Sequence, residues 1–330
     1  MKDCKDVFFL GEIKDGKLES ITLELVQAGK VLARCLGEKL VGVLLGHQIQ
    51  EKADEMLSYG VDDCYFVESF ELREYNVDLY LSCLENLLLE RKPRIFLLGH
   101  TDIGAELGPL LAFRLGTSIV TDCVELSIDA STGRLLRTKP IQGGVAMAVF
   151  EDENFPQMAT VRRKSFLPAE RVGKGSGNIF VLTPNLADSR KRIKVVERNK
   201  EDTGDKNLED AEIIVAGGRG IGDAEGFKLL EELARYLKGA LGASRAAVDN
   251  GWVPASIQIG ITGKIVAPRV YIAVGISGAS QHMTGCSRAR TIIAINRDPN
   301  APIFRQAHFG VVGDWKLIVP AFLDKLKSLE

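Results

Sequence analysis

Short apolar runs of strand length recur along the first hundred residues: DVFFLGEI at 6–13, LVGVLLG at 40–46, DDCYFVES at 62–69 and RIFLLGH at 94–100. Each is followed by a stretch patterned like an amphipathic helix. Runs of this kind have no polar face, so they suit strands covered on both sides, and the intervening helices supply that cover. The rhythm predicts βαβ units and a parallel sheet. GHTDIGAELGPLLAFRLG shows the unit in detail. A strand over 94–98 runs into Thr101 and Asp102 as helix-cap candidates, followed by an apolar stripe at Leu107, Leu110, Leu111 and Leu115. For His100 and Thr101 the structural reading, a capping cluster, is preferred to a functional one.

From about 119 to 182 the texture turns to β-like runs, GGVAMAVF and QMATVRRKSF, expected to form an antiparallel extension that closes a first domain. The segment DSRKRIKVVERNKEDTGDKNLEDAE, 188–212, alternates charge and is poor in core residues. It reads as a solvated linker. Its basic half suggests nucleic acid, but the acidic half nearly cancels it and aromatic residues are absent, so the linker reading is preferred. A length of 330 residues and a linker here give two domains, 1–205 and 206–330.

Bulk chemistry narrows the function. A formal net charge of -2 gives no global attraction to nucleic acid or to an anionic membrane. The six cysteines are scattered, with no C-x-x-C, so neither zinc nor an iron–sulfur cluster is expected. No apolar run reaches the roughly 18 residues of a membrane span, and the N-terminus lacks the apolar core of a secretory signal. A cytoplasmic protein with reduced thiols is the expectation.

The second domain opens at EIIVAGGRGIG, 212–222, where a strand runs into glycines and then a helix with Leu230, Leu233, Ala234 and Leu237 on one face. The dinucleotide fingerprint G-x-G-x-x-G fails, because Asp223 stands where the third glycine belongs. Strands are expected at 212–216, 240–243, 270–274, 291–295 and 309–312. Each ends in polar or glycine-rich residues: Arg219, then Ser244 and Arg245, then Ser277 to His282, then Asn296, then Asp314. In an open parallel sheet these carboxyl ends face one crevice, where ligands bind. VGISGASQHMTGC, 274–286, adds a helix expected from about Gly278, whose unpaired N–H groups favour an anion or an electron-rich ring edge. Gly275 and Gly278 read either as turn glycines or as places where a ligand meets the backbone. QIGITGKIVAP, 258–268, reads either as a hairpin-like turn or as a loop laid along a flat ligand. Five polar tips together favour a nucleotide-like ligand.

At these residues the chain resembles the alpha subunit of electron-transfer flavoproteins. The matching runs are GASRAAVDNGWVPASIQIGITGKIVAPRVYIAVGISGASQHMTGC, TIIAINRDPNAPIF and FGVVGDWKLIVP. Weaker similarity in RIFLLGHTDIGAELGPLLAFRLGTSIVTDC and QMATVRRKSF extends over essentially the whole chain. The resemblance implies an α/β protein of two Rossmann-like domains, the N-terminal one docking a beta subunit and the C-terminal, parallel-sheet one binding FAD. It implies FAD contacts at Arg219, Ser244, Arg245, Ile259, Gly260, Ile261, Thr262, Ser277, Gly278, Ala279, Ser280, Gln281, His282, Asn296, Asp314 and Trp315. Among these, Arg245 would lie against the flavin ring, the Thr262 hydroxyl near N5 and His282 at the N1/O2 edge. Asn296 and Asp314 would hold the adenosine side. A positive or donor group at the N1/O2 edge stabilises reduced flavin, which makes Arg245 and His282 the expected levers on its potential. Ile261 stands where the family often has glutamine, removing one polar contact. Some members of the family carry an extra N-terminal ferredoxin-like segment, and the cysteine spacing here is not that expected of such a cluster.

The function so implied is electron carriage, as a heterodimer with a beta subunit, between flavin dehydrogenases such as acyl-CoA dehydrogenases and a downstream acceptor. In bifurcating relatives the beta subunit holds a second FAD and the NADH site. The alternative, an NAD(P)-dependent dehydrogenase using the same crevice, lacks its pyrophosphate fingerprint.

Overall fold

The computed structural model describes the chain except residues 1–3, 143–145, 174, 176, 185, 187–191, 194, 198–207 and 330. Two compact units emerge, Met1–Arg198 and Asn199–Glu330. Most of the 188–212 linker, and the expected boundary at 205/206, lie outside the described residues.

Unit 1 is built on β1 (Val7–Leu10), the small hairpin β2 (Ile13–Lys14) and β3 (Lys17–Leu18), β4 (Leu40–Gly46), β5 (Asp63–Glu68) and β6 (Ile95–Gly99). Beyond these come β7 (Ile119–Cys123), β8 (Glu125–Ile128), β9 (Leu135–Ile141), β10 (Ala146–Phe150), β11 (Gln157–Val161) and β12 (Asn178–Leu182). The main sheet has seven strands in the order β12-β5-β4-β1-β6-β11-β7. Every pairing is parallel; Val7, for example, lies between Leu40 and Ile95. Helices α1 (Ser20–Leu36) and α2 (Gln50–Leu57) bury Leu25, Leu32 and Met56 against one face. Helices α3 (Val77–Arg91) and α4 (Asp102–Arg114) bury Leu84, Leu87, Leu107 and Leu111 against the other. Thr101 caps α4, its hydroxyl accepting from the Gly104 N–H at 3.1 Å. Leu110, expected in the buried stripe, is instead exposed.

The 119–182 region is only partly antiparallel. Strands β8, β9 and β10 form a three-stranded antiparallel sheet. QMATV does not join it: β11 lies inside the main sheet, parallel to β6 and β7. All five of its residues are buried, the condition of a strand covered on both faces rather than one. Strands β7 and β12 also belong to the main sheet.

Unit 2 contains β13 (Ile213–Gly217), α5 (Ala224–Tyr236), β14 (Ala240–Ser244), α6 (Arg245–Asp249) and β15 (Gln258–Ile259). It continues through β16 (Val270–Val274), α7 (Ser280–Met283), β17 (Thr291–Asn296), β18 (Phe309–Val312) and α8 (Trp315–Lys327). Its six-stranded sheet, β15-β14-β13-β16-β17-β18, is parallel throughout. Helix α5 buries Phe227, Leu230, Leu233 and Ala234 beside Val319 and Leu323 of α8. Each large side chain so buried contributes about 1.5–3 kcal/mol. The chain therefore has the two parallel-sheet α/β domains that its patterning predicts.

Candidate functional site

Because neighbouring strands of unit 2 run parallel, the residues leaving their carboxyl ends gather along one edge. A cavity of about 750 Å³ opens there. Its wall takes Arg219 and Gly220 after β13, Ser244, Arg245, Ala246 and Asp249 from the end of β14 and α6, and Ile259, Gly260, Ile261 and Thr262 from β15 and its loop. The β16 side gives Gly275, Ile276, Ser277, Ala279, Gln281 and His282, and the β17 side gives Asn296, Arg297, Asp298, Ala301 and Pro302. Twelve of the sixteen residues named from the sequence thus line one space. The other four do not: Gly278 and Ser280 belong to the same turn without reaching the wall, and Asp314 and Trp315 stand apart from it. Asp314 instead caps α8, its carboxylate accepting from the Lys316 N–H at 2.9 Å. Trp315 packs against α5, close enough that a Cβ on Gly226 would come within 2.8 Å of its ring.

Local bonding fixes several of these side chains. Asn296 donates from Nδ2 to the Ile276 carbonyl at 2.9 Å, tying the tips of β16 and β17 together, and accepts from the Asp298 N–H of its own loop at 3.0 Å. Gln258 donates from Nε2 to the Thr262 hydroxyl oxygen at 3.0 Å, which leaves the Thr262 proton for a further acceptor. Arg245 begins α6 and pairs with Asp249 one turn on, at 3.4 Å, with both side chains exposed.

The geometry bears on three expectations and overturns the first. The helix expected from Gly278 is a single turn, Ser280–Met283, too short for peptide dipoles to accumulate along it. The chain's own packing requires both glycines, and Gly275 also lines the cavity. Gly275 has φ +62° and a Cβ there would lie 2.9 Å from Gly220; Gly278 has φ +87° and a Cβ there would lie 2.4 Å from the Ile303 nitrogen. His282 has both ring nitrogens engaged within the chain. It is buried, Nδ1 lies 3.0 Å from the Ile259 carbonyl oxygen and Nε2 lies 2.9 Å from the Tyr271 hydroxyl. Burial lowers its pKa to about 4, against the opposing pull of the Ile259 carbonyl.

Gly220, Ala246, Asp249, Ile276, Arg297, Asp298, Ala301 and Pro302 line the cavity without having been singled out in the sequence. Two signals were available. Asp249 stands four residues after Arg245, on the same helical face, and Arg297 and Asp298 directly follow the tip residue Asn296.

The volume is within the roughly 300–1,000 Å³ range of cofactor sites. Three arginines against two aspartates give the wall a cationic excess suited to a pyrophosphate, and Ile259, Ile261 and Ile276 supply apolar surface for a flat ring. An FAD molecule fits this donor set. Among the described residues no cluster of potential metal ligands occurs, and no helix is long and apolar enough to cross a membrane.

Comparison with known proteins agrees with the geometry. The family model described as "Electron transfer flavoprotein FAD-binding domain" matches residues 207–287, and that of "Electron transfer flavoprotein domain" matches 7–187. The chain is 40% identical to the electron transfer flavoprotein subunit alpha of Thermoanaerobacterium thermosaccharolyticum, over 100% of both chains. It is 39% identical to the Bacillus subtilis protein of the same name, over 98% of each. A third relative, 40% identical over 98% of this chain and 96% of its own, is the acryloyl-CoA reductase electron transfer subunit beta of Anaerotignum propionicum. With both units matched and a cavity suited to the flavin, the chain belongs to the electron transfer flavoprotein alpha-subunit family, an FAD-binding family of electron carriers.

Proposed function

We propose that the cavity of unit 2 holds the FAD, with the isoalloxazine ring against Arg245, Thr262 and His282 and the adenosine side toward Asn296. Bound there, FAD supplies reversible uptake of one or two electrons. The residues of the chain bind and tune it. Arg245 sets a positive charge beside the ring, partly offset by Asp249. Thr262, oriented by Gln258, offers its hydroxyl proton, and the isoleucines exclude water. The observation that carries this reading is the convergence of five strand ends on one cavity of cofactor size.

The chain works with a beta subunit, docked through unit 1, and exchanges electrons with a flavin dehydrogenase and a second acceptor in the cytoplasm. A relative named for acryloyl-CoA reductase supports acyl-CoA-type dehydrogenases as partners. A domain boundary near 205/206 and a charged 188–212 linker would let the flavin domain swing between donor and acceptor. Electron bifurcation, with a second FAD and NADH oxidation on the beta subunit, is the finer form of the same function.

The purified two-chain complex tests this. One FAD per alpha chain, lost from an Arg219→Ala/Asn296→Ala variant that remains folded, is expected. Full flavin content in that variant would refute the site. Two flavins per complex with NADH oxidation would show the bifurcating form, and shortening the linker without slowing interprotein transfer would refute the swing.

A further inference from the structure

The covalent connection between the two units runs from Leu186, buried in the core of unit 1, to Leu208, buried in the core of unit 2. Part of it is held. Arg192 meets Asp78 in the first turn of α3: its backbone N–H donates to Oδ2 at 2.9 Å, and its Nε and Nη2 donate to Oδ1 at 3.0 and 2.5 Å. The carbonyl of the next residue, Ile193, accepts from Asn76 Nδ2 at 2.8 Å. Asn76 is also the N-cap of α3, where its side-chain oxygen accepts from the Asp78 and Leu79 N–H groups at 3.1 and 3.3 Å. Those two donors fix the orientation of the amide, so its NH2 group points at Ile193. An aspartate would cap the helix as well, but it has no N–H to hold a carbonyl. Asp78 is likewise engaged. Its side chain is only 9% exposed beneath Arg192, whose hydrogen bonds keep the carboxyl below its ordinary pKa. Apolar burial contributes little, because the side chains of Ile193, Val195 and Val196 are all exposed.

We propose that Asn76 and Asp78 form a clasp that moors the connection to unit 1 at Arg192 and Ile193 and thereby sets the length of the tether carrying unit 2. With the clasp closed the tether is residues 194–207, whose reach is at most about 50 Å. With it open the tether begins after Leu186, and residues 187–207 reach at most about 75 Å. The clasp is a reversible one. Arg192 is 70% exposed, so salt screens its charge and the pair is of the weak, surface kind. A closed clasp confines unit 2 to a smaller volume and raises its effective concentration at nearby sites; an open one widens the search. This consequence for electron transfer rests on the swinging of the flavin domain proposed above. The clasp itself does not.

Two variants of the full-length chain in its two-chain complex open the clasp without touching the flavin cavity. Asn76→Asp keeps the helix cap and removes the donor, and Arg192→Ala leaves α3 unaltered. Thermolysin, which cuts on the amino side of isoleucine and valine, reads the clasp directly. Cleavage before Ile193 should become at least about threefold faster in both variants and rise less in Arg192→Lys. The thermal unfolding of unit 1 should not change, which separates an opened clasp from a loosened helix. Spin labels placed one on each unit should give a distance distribution that extends to longer values in both variants. Equal cleavage in all forms overturns the clasp. Faster cleavage with unchanged distances overturns its control of the tether. Longer distances with unchanged interprotein transfer support the clasp and refute the swing instead.

Discussion

Gly278→Ala puts the construction of the cavity wall to a quantitative test. A left-handed φ of +87° costs an alanine about 1–2 kcal/mol. The new methyl would also lie 2.4 Å from the nitrogen and 2.5 Å from the Cα of Ile303, about 1 Å inside ordinary contact and against main chain that cannot rotate away. Relieving that overlap pulls apart the bond from the Ile303 N–H to the Ser277 carbonyl, now 3.0 Å, at a further cost of about 1 kcal/mol. The expected loss is about 3 kcal/mol. Both tryptophans, Trp252 and Trp315, fall in unit 2, so tryptophan fluorescence in urea follows this unit alone. Gly222→Ala is the control, since φ there is +99° but nothing lies within 4 Å of the added carbon. It should lose only about 1 kcal/mol. Ser277 and Ala279 flank Gly278 on the wall, so the displaced turn should also weaken FAD binding at least about tenfold, or 1.4 kcal/mol. Equal losses in the two variants would show that close approach to Ile303 is not what places glycine at 278.

Glu12 is buried in unit 1 with Thr101 donating to it at 2.8 Å, and desolvation raises its pKa from 4.5 to about 7. The fold favours the neutral acid, so its contribution is complete below about pH 4.5 and lost as pH rises through about 7, roughly 3 kcal/mol in all. Glu12→Gln should remove that decline, stabilising unit 1 at pH 8 but not at pH 4.5; parallel stability profiles by hydrogen exchange at β1 would count against it. Arg245→Ala should lower the flavin potential, Asp249→Asn should raise it, and added salt should shrink both shifts because the pair is exposed. A spectroelectrochemical titration showing shifts of the same sign would refute the assignment. Asn296→Ala removes the bond that joins the tips of β16 and β17 together with the local bond from the Asp298 N–H, and should cost unit 2 about 2 kcal/mol and FAD affinity about tenfold. Intact affinity, measured by flavin fluorescence recovery on dilution, would show that this tie is dispensable.

Much of the architecture was legible because strands covered on both faces announce themselves as uninterrupted apolar runs. VYIAV at 270–274 and TIIAIN at 291–296 need no partner to be recognised. Strand pairing was harder. Gln157–Val161 joins strands that lie tens of residues earlier, and local texture does not reveal so distant a neighbour, which is why the whole 119–182 region read as antiparallel. Two-residue β15 is too short to show any periodicity, so the loop that follows it was found only as a cluster of small and polar residues.

The site shows where sequence pattern stops being informative. Polar residues at strand tips have two competing employments, a ligand or the first turn of the next helix, and composition is the same for both. Asn296 ends β17 and Asp314 follows the neighbouring β18 by two residues. Asp314 gives its oxygen to the Lys316 N–H of its own helix, whereas Asn296 bonds back to the Ile276 carbonyl and stays on the wall. His282 makes the same point for charge. The resemblance made it a positive or donor group at the flavin edge, yet its ring nitrogens meet an oxygen 23 residues before it and a hydroxyl 11 residues before it, neither visible in the local sequence. With both ring nitrogens held by groups of the chain itself, sequence pattern does not tell what the imidazole offers the cavity, whereas the three arginines on the wall are cations in any setting and were legible as such.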